Sequence, residues 1–158
     1  MTEIEATIAA LAAEHEELQF GTFGFDDAWA IGQDLVAEFK SAALPVAVDI
    51  SLNGQTLFHA ALPGSSPDND QWIIRKNRVV QRFHKSSFYI ANILKQKGKS
   101  IEEAYGLSQA DYAPSGGAVP IRIRGVGVVG TATVSGLPDH EDHRMVAQAL
   151  RRHLTTRA

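Results

Sequence analysis

Asn53-Gly54 stands between Val46-Ala47-Val48-Asp49-Ile50-Ser51-Leu52 and Gln55-Thr56-Leu57-Phe58-His59-Ala60, two runs rich in β-formers. A two-residue turn between strands needs positive φ at its central positions, which Asn and Gly supply at little cost, so the segment is predicted to be a tight antiparallel hairpin. A lone hairpin is not stable in water; the rest of the chain has to add strands and cover a face.

Val119 to Arg122 and Val126 to Val134 are β-rich and separated by Arg124-Gly125, which predicts a second hairpin. The other segments carry helical spacing. Ile4, Ile8, Leu11, Ala12 and Leu18 predict a first helix from about Ile4 to Leu18. Phe20 to Gly24 reads as a short strand or turn, and Asp26 as the N-cap of a second helix whose stripe is Ala28, Ile31, Leu35 and Phe39. Asp68-Asn69-Asp70 offers caps for one long helix beginning near Trp72, with Trp72, Lys76, Val79, Phe83, Ile90 and Ile93 or Leu94 on its buried side. Gly98 stops that helix, and Ser100 with Glu103 forms a capping-box pattern for a short helix to about Tyr105. Asp139 caps a last helix with Val146, Ala147, Leu150 and Leu154 inward. Two hairpins separated by helices predict one α+β domain over residues 1–158, an antiparallel sheet flanked by α-helices, and not a doubly wound parallel sheet.

Composition narrows the chemistry. The chain has no cysteine, which excludes disulfides, a thiolate nucleophile and thiolate metal ligation. Its apolar runs fall far short of a membrane span, and acids stand at Glu3 and Glu5 where a signal peptide would carry Lys or Arg, so the expected compartment is the cytoplasm. Charge is unevenly spread. Residues 1–40 hold nine acids and one base, whereas residues 71–101 hold eight bases and no acid. Opposite fields of this kind either steer an anionic partner, dock copies of the chain face to face, or are solvated helix faces.

Several motifs invite chemistry. Gly125-Val126-Gly127-Val128-Val129-Gly130 spells G-x-G-x-x-G, but a dinucleotide site requires those glycines to open a helix, and here the β pattern continues through Ser135. Glycines placed for hairpin geometry and close packing are the better reading. His140 and His143 are three apart beside Asp139, Glu141 and Asp142, a spacing that allows a shared metal or a haem iron ligand. Acids favouring the helix N-terminus explain the same residues without a metal. His143 is in register with Val146, Ala147 and Leu150 and is predicted to point into the protein. Arg75, Lys76, Arg78, Arg82, His84 and Lys85 form a basic cluster suited to carboxylates or phosphates, and equally common on a solvated helix. With Trp72 and Phe83 assigned to the buried side and a pI near 6.0, no nucleic-acid partner is expected. No nucleophile elbow or Walker loop is present, and Ser86, Ser87, Ser115 and Ser135 carry no local sign of nucleophilic use.

Asn69 to Asn77, Phe83 to Ser87, Gly116-Gly117-Ala118-Val119-Pro120-Ile121 and Val128 to Leu137, in that order, resemble an uncharacterised family within the haem-degrading domain superfamily. That superfamily includes the glycolate-operon protein and extracellular haem-binding proteins. The resemblance implies a profilin-like antiparallel sheet flanked by helices, and dimers built into larger assemblies. It makes haem a candidate cofactor, since some relatives bind haem and haem degradation has been attributed to the superfamily. The expected site lies where the Gly116-Gly117 turn, the Ser135-Gly136 turn and the start of the last helix converge. There Arg75 and Lys76 would hold an acid group, and His140 or His143 would act as ligand or general base. The resulting expectation is a cytosolic homo-oligomeric protein binding a small anionic ligand, with weak enzymatic or haem-handling activity. The alternative is a protein-interaction or chaperone-accessory module whose assembled surface does the work.

Overall fold

The structure, a computed structural model, describes residues 1–157. Helices α1 (Glu3–Glu17) and α2 (Phe25–Ser41) precede the hairpin β1 (Ala47–Leu52) and β2 (Gln55–Ala61). Three helices follow, α3 (Pro67–Phe83), α4 (Ser87–Lys97) and α5 (Ile101–Tyr105), then the hairpin β3 (Ala118–Ile123) and β4 (Gly127–Ser135), and finally α6 (Asp139–Arg157). The two hairpins join through β1 and β4 into one antiparallel sheet of order β2-β1-β4-β3. The α+β expectation therefore holds. No helix among the described residues is long and apolar enough to cross a membrane.

Cross-strand partners share a face, so the register divides the sheet into two chemically different sides. Val48 pairs with Val134 and Ala60, Ile50 with Ala132 and Phe58, and Val119 with Ala132, making one side apolar. This side packs with Ala28, Ile31, Leu35 and Phe39 of α2 and Val146, Ala147 and Leu150 of α6 in the main core. The opposite side carries Asp49 beside His59 and Thr133, Ser51 beside Thr131, and Ser135 opposite Ala47. Helix α3 lies on that polar side. Beyond it, Val79, Ile90, Leu94 and Ile101 form a second, smaller apolar cluster with α4 and α5.

The seam between α3 and the sheet is closed by hydrogen bonds. Asn77 donates from Nδ2 to Asp49 Oδ2 at 3.4 Å and accepts at Oδ1 from the Thr133 hydroxyl. Ser51 Oγ donates to the same Asp49 oxygen at 3.1 Å, and His59 Nδ1 lies 3.2 Å from Asp49 Oδ1. Asn69 Nδ2 reaches Ser135 Oγ at 3.4 Å one turn from the helix start. A buried carboxylate such as Asp49 is tolerable only when its oxygens are satisfied in this way.

Three local expectations need correction. The predicted long helix is two: Pro67 starts α3 five residues before Trp72, His84 ends it in the left-handed region at φ 56°, and Ser86 caps α4 by accepting from the Tyr89 N–H at 3.0 Å. The buried face of α3 comprises Ile73, Lys76, Asn77, Val79 and Val80, and Trp72 at its margin remains 36% exposed. Helix α2 begins at Phe25 with Gly24 as its cap, and Asp27, not Asp26, closes the turn by accepting from the Gly24 N–H at 2.8 Å. The segment after α1, expected as a short strand or turn, is a bend with one parallel bridge between Phe20 and Ile123 at the β3 edge.

Asn77→Ala would leave Asp49 and Thr133 short of partners in a dry seam. We expect a loss of at least about 2 kcal/mol, measured by urea denaturation.

Candidate functional site

Three segments converge at one end of the sheet, as their sequence order suggested. The end of β4 (Ser135-Gly136), the turn before β3 (Ser115 to Gly117) and the start of α6 enclose a cleft of about 310 Å³ with α3. Lys76 and Asp142 form its floor. Lys76, 3% exposed, donates from Nζ to Asp142 Oδ2 at 3.1 Å and to the Val134 carbonyl at 3.2 Å. Asp142 Oδ1 accepts from the Leu137 N–H at 3.0 Å, so the carboxylate also fixes the turn into α6. Burial pushes the Lys76 ammonium below its ordinary range and the Asp142 carboxyl above its own, and the attraction between the two opposes both shifts.

Gly117 makes this floor possible. Its φ of +139° suits glycine, and a Cβ there would stand 2.7 Å from Lys76 Nζ, besides meeting the Val134 carbonyl. Gly116 is held as closely against the Asp139 carbonyl. Gly130, the last glycine of the G-x-G-x-x-G string, is a packing glycine where β4 meets the Ser51 carbonyl of β1, and no helix follows it.

The remaining candidates diverge from this cleft. Arg75 turns away from Lys76 and lies over the Trp72 ring at 4.2 Å, donating to the Gln109 carbonyl at 3.3 Å. It lines a second, open groove of about 390 Å³ whose rim carries Lys95 and Lys99 and whose wall includes Leu94, Ile101 and Tyr112. Trp72 and Ser115 border both depressions, so the groove and the cleft are neighbours. The groove is lined by three cations and no carboxylate.

His140 is at the start of α6 with 63% of its side chain exposed, whereas His143 is buried. His143 Nε2 lies 2.7 Å from Glu14 Oε1, its ring packs 5.1 Å from Phe88, and its Nδ1 has no hydrogen-bond partner among the described residues. The two histidines do not converge, and no trio of His, Asp or Glu among the described residues is placed to hold a metal. Burial raises the Glu14 carboxyl, but the hydrogen bond and charge of His143, with those of Arg151, bring it below the usual carboxylate range. His15 lines a small crevice with Glu14 and His143, and burial together with Arg122 and Lys85 lowers its imidazole to about 4.

The charge split resolves unevenly. Acids of α1 and α2 are met by α6: Arg151 pairs with Glu14 and Glu17, Arg152 with Asp34 and Glu38, and His153 and Arg157 with Asp27. Arg75, Lys95 and Lys99 have no such partner among the described residues. Sequence reasoning missed Asp142 as the partner of Lys76, and Lys95, Lys99 and Tyr112 as groove residues.

A four-stranded antiparallel sheet with helices on both faces, and ligand-sized depressions at the helix–sheet margin, defines an α+β scaffold of the haem-degrading-domain type. Residues 23–151 match the family described as haem degrading protein HbpS-like, and the chain belongs to that family. It is 49% identical over 148 residues to the UPF0303 protein SCO2848 of Streptomyces coelicolor, covering 94% of each chain. Among solved structures it is similar to the Ybr137w protein, with TM-score 0.87 and 35% identity over 95% of this chain and 88% of that one. It shares the fold of PduOC in its haem complex, with TM-score 0.69 and 16% identity over 82% and 94% of the two chains.

Two outcomes follow from the buried charges. Lys76→Met strands Asp142 and is expected to cost about 3–5 kcal/mol, whereas Lys76→Met with Asp142→Asn recovers at least half of that, because the amide still accepts from Leu137 and no unpaired charge remains; chemical denaturation of the three proteins measures this. His15 binds its proton more weakly folded than unfolded, so stability falls as pH drops from about 6.5 to about 4. His15→Gln is expected to flatten that part of a stability–pH curve.

Proposed function

We propose that this protein is a homo-oligomeric, cytoplasmic small-ligand-binding protein whose groove beside Trp72 takes an amphipathic anion, with haem as the leading candidate. The observation that carries the reading is the groove's lining: Arg75, Lys95 and Lys99 stand over an apolar wall, and no carboxylate is among the lining residues. A planar apolar ligand bearing carboxylates suits that arrangement, the cations meeting the acid groups and Trp72, Leu94 and Ile101 the ring. The HbpS-like family description and the haem-bound fold neighbour support the choice of haem.

The donor set fits haem at the propionates. For iron, Tyr112 is the groove residue able to ligate; His140 lines neither the groove nor the cleft, and His143 is engaged by Glu14. Haem held there would supply iron-centred oxygen and electron chemistry. The cleft formed by Lys76, Ser115, Ser135 and Asp142, beside the Gly116-Gly117 turn, adjoins this groove and extends the binding surface toward α6. Self-association is supported by Phe25 and Trp29, which are 65% and 56% exposed on α2, with Trp29 edge-to-face against Phe58 of β2, the strand whose outer edge is unpaired.

A haemin titration followed by absorbance, with light scattering on the same samples, tests the reading. We expect a saturable Soret change on a defined oligomer, weakened at least about tenfold by Arg75→Ala with Lys95→Ala, a loss of about 1.4 kcal/mol. Tyr112→Phe should move the Soret position, whereas His140→Ala, outside the groove, should leave it unchanged. Nonspecific absorption by a defined oligomer would instead favour the interaction-module alternative.

A further inference from the structure

Another depression lies at the other end of the sheet, four residues along β4 from Ser135 and so roughly 13 Å away. This cleft of about 340 Å³ is formed by the β1–β2 turn, the middle of β4 and the C-terminal end of α3. Its polar lining is Ser51, Asn53, Gln81, His84 and Thr131. We infer that it is a binding site for a small uncharged polyol, distinct from the groove beside Trp72 and independent of the haem reading.

Thr131 points to a ligand. It is 2% exposed, yet its hydroxyl has no hydrogen-bond partner among the described residues, whereas Thr133, two residues on along the same face, donates to Asn77. An unsatisfied buried hydroxyl costs about 1–3 kcal/mol, and such groups in native folds call for a partner from outside the chain. His84 adds a second cost. It closes α3 in the left-handed region at φ 56°, where glycine would sit without strain, and histidine there keeps an imidazole on the cleft lining.

The class of ligand follows from the lining chemistry. No Asp, Glu, Lys or Arg is present, so nothing fixed compensates a charged ligand. The Asn53 and Gln81 carboxamides and the Thr131 hydroxyl can each donate and accept, and Ser51 Oγ, which gives its hydrogen to Asp49, can still accept; together they match the paired donor and acceptor of adjacent ligand hydroxyls. Val128 supplies an apolar wall for the C–H side of such a molecule.

Backbone-amide NMR of the full chain, titrated with erythritol and separately with inorganic phosphate, tests the site. Saturable shifts with erythritol at the amides of Thr131, Gln81 and His84, without comparable shifts from phosphate, are expected. Thr131→Val should weaken erythritol binding at least about tenfold while leaving thermal stability unchanged or raised, since the deleted hydroxyl had no partner. Gln81→Leu, on an exposed helix position, should weaken binding likewise and serves where the first variant misfolds. Absence of saturable erythritol shifts, stronger saturation by phosphate, shifts unaffected by either variant, or a stability loss in Thr131→Val would each overturn the assignment.

Discussion

Lys76 and Asp142 meet inside the protein, and the arrangement of the upper half of the fold depends on that contact. One ammonium ties α3 to the backbone of β4 and to the first turn of α6, while the carboxylate it meets holds the Leu137 turn. Such a pair contributes little net stability, because taking two charges out of water costs about as much as their attraction returns. Its value here is positional: neither helix can slide or rotate without stranding a charge. Gly117 is the concession the backbone makes to it, and the cleft above the pair follows from that geometry.

The two sides of the sheet do different work. The side facing α2 and α6 is apolar and carries the main core, so its interactions are nondirectional and tolerant of small shifts. On the α3 side, Asp49, Asn77, Thr133, Ser135 and Lys76 specify one registration by hydrogen bonds whose loss is expensive. Depressions suited to ligands gather along the margins of this polar side. Electrostatics follow the same division, since α6 neutralises the acids of α1 and α2 while the cations around Trp72 keep their field.

Much of this was legible in local sequence. Both hairpins, the α2 stripe and the Ser100–Glu103 capping box follow from short-range chemistry and are present as read. Periodicity also put Lys76 in register with Val79, and both are buried. What it could not supply was the partner, because Asp142 is 66 residues away and nothing local distinguishes it from its neighbouring acids. The break at His84 carried no glycine or proline signal, so two helices read as one. Assigning Arg75 and Lys76 to one ligand overlooked helical geometry: adjacent residues differ by about 100° around the axis and face different surroundings. Asp142 and His143 repeat the lesson on α6, one turned to α3 and the other to α1.

The arrangement of α3, β4 and α6 rests on Lys76 being a buried, charged ammonium fixed by Asp142. Nitrogen-detected NMR of the lysine side chains at neutral pH reads that state. One ammonium signal with slowly exchanging protons is expected, set apart from the surface lysines and displaced by Asp142→Asn. A Lys76 signal in fast exchange like the exposed lysines, or one showing a neutral amine, would contradict it.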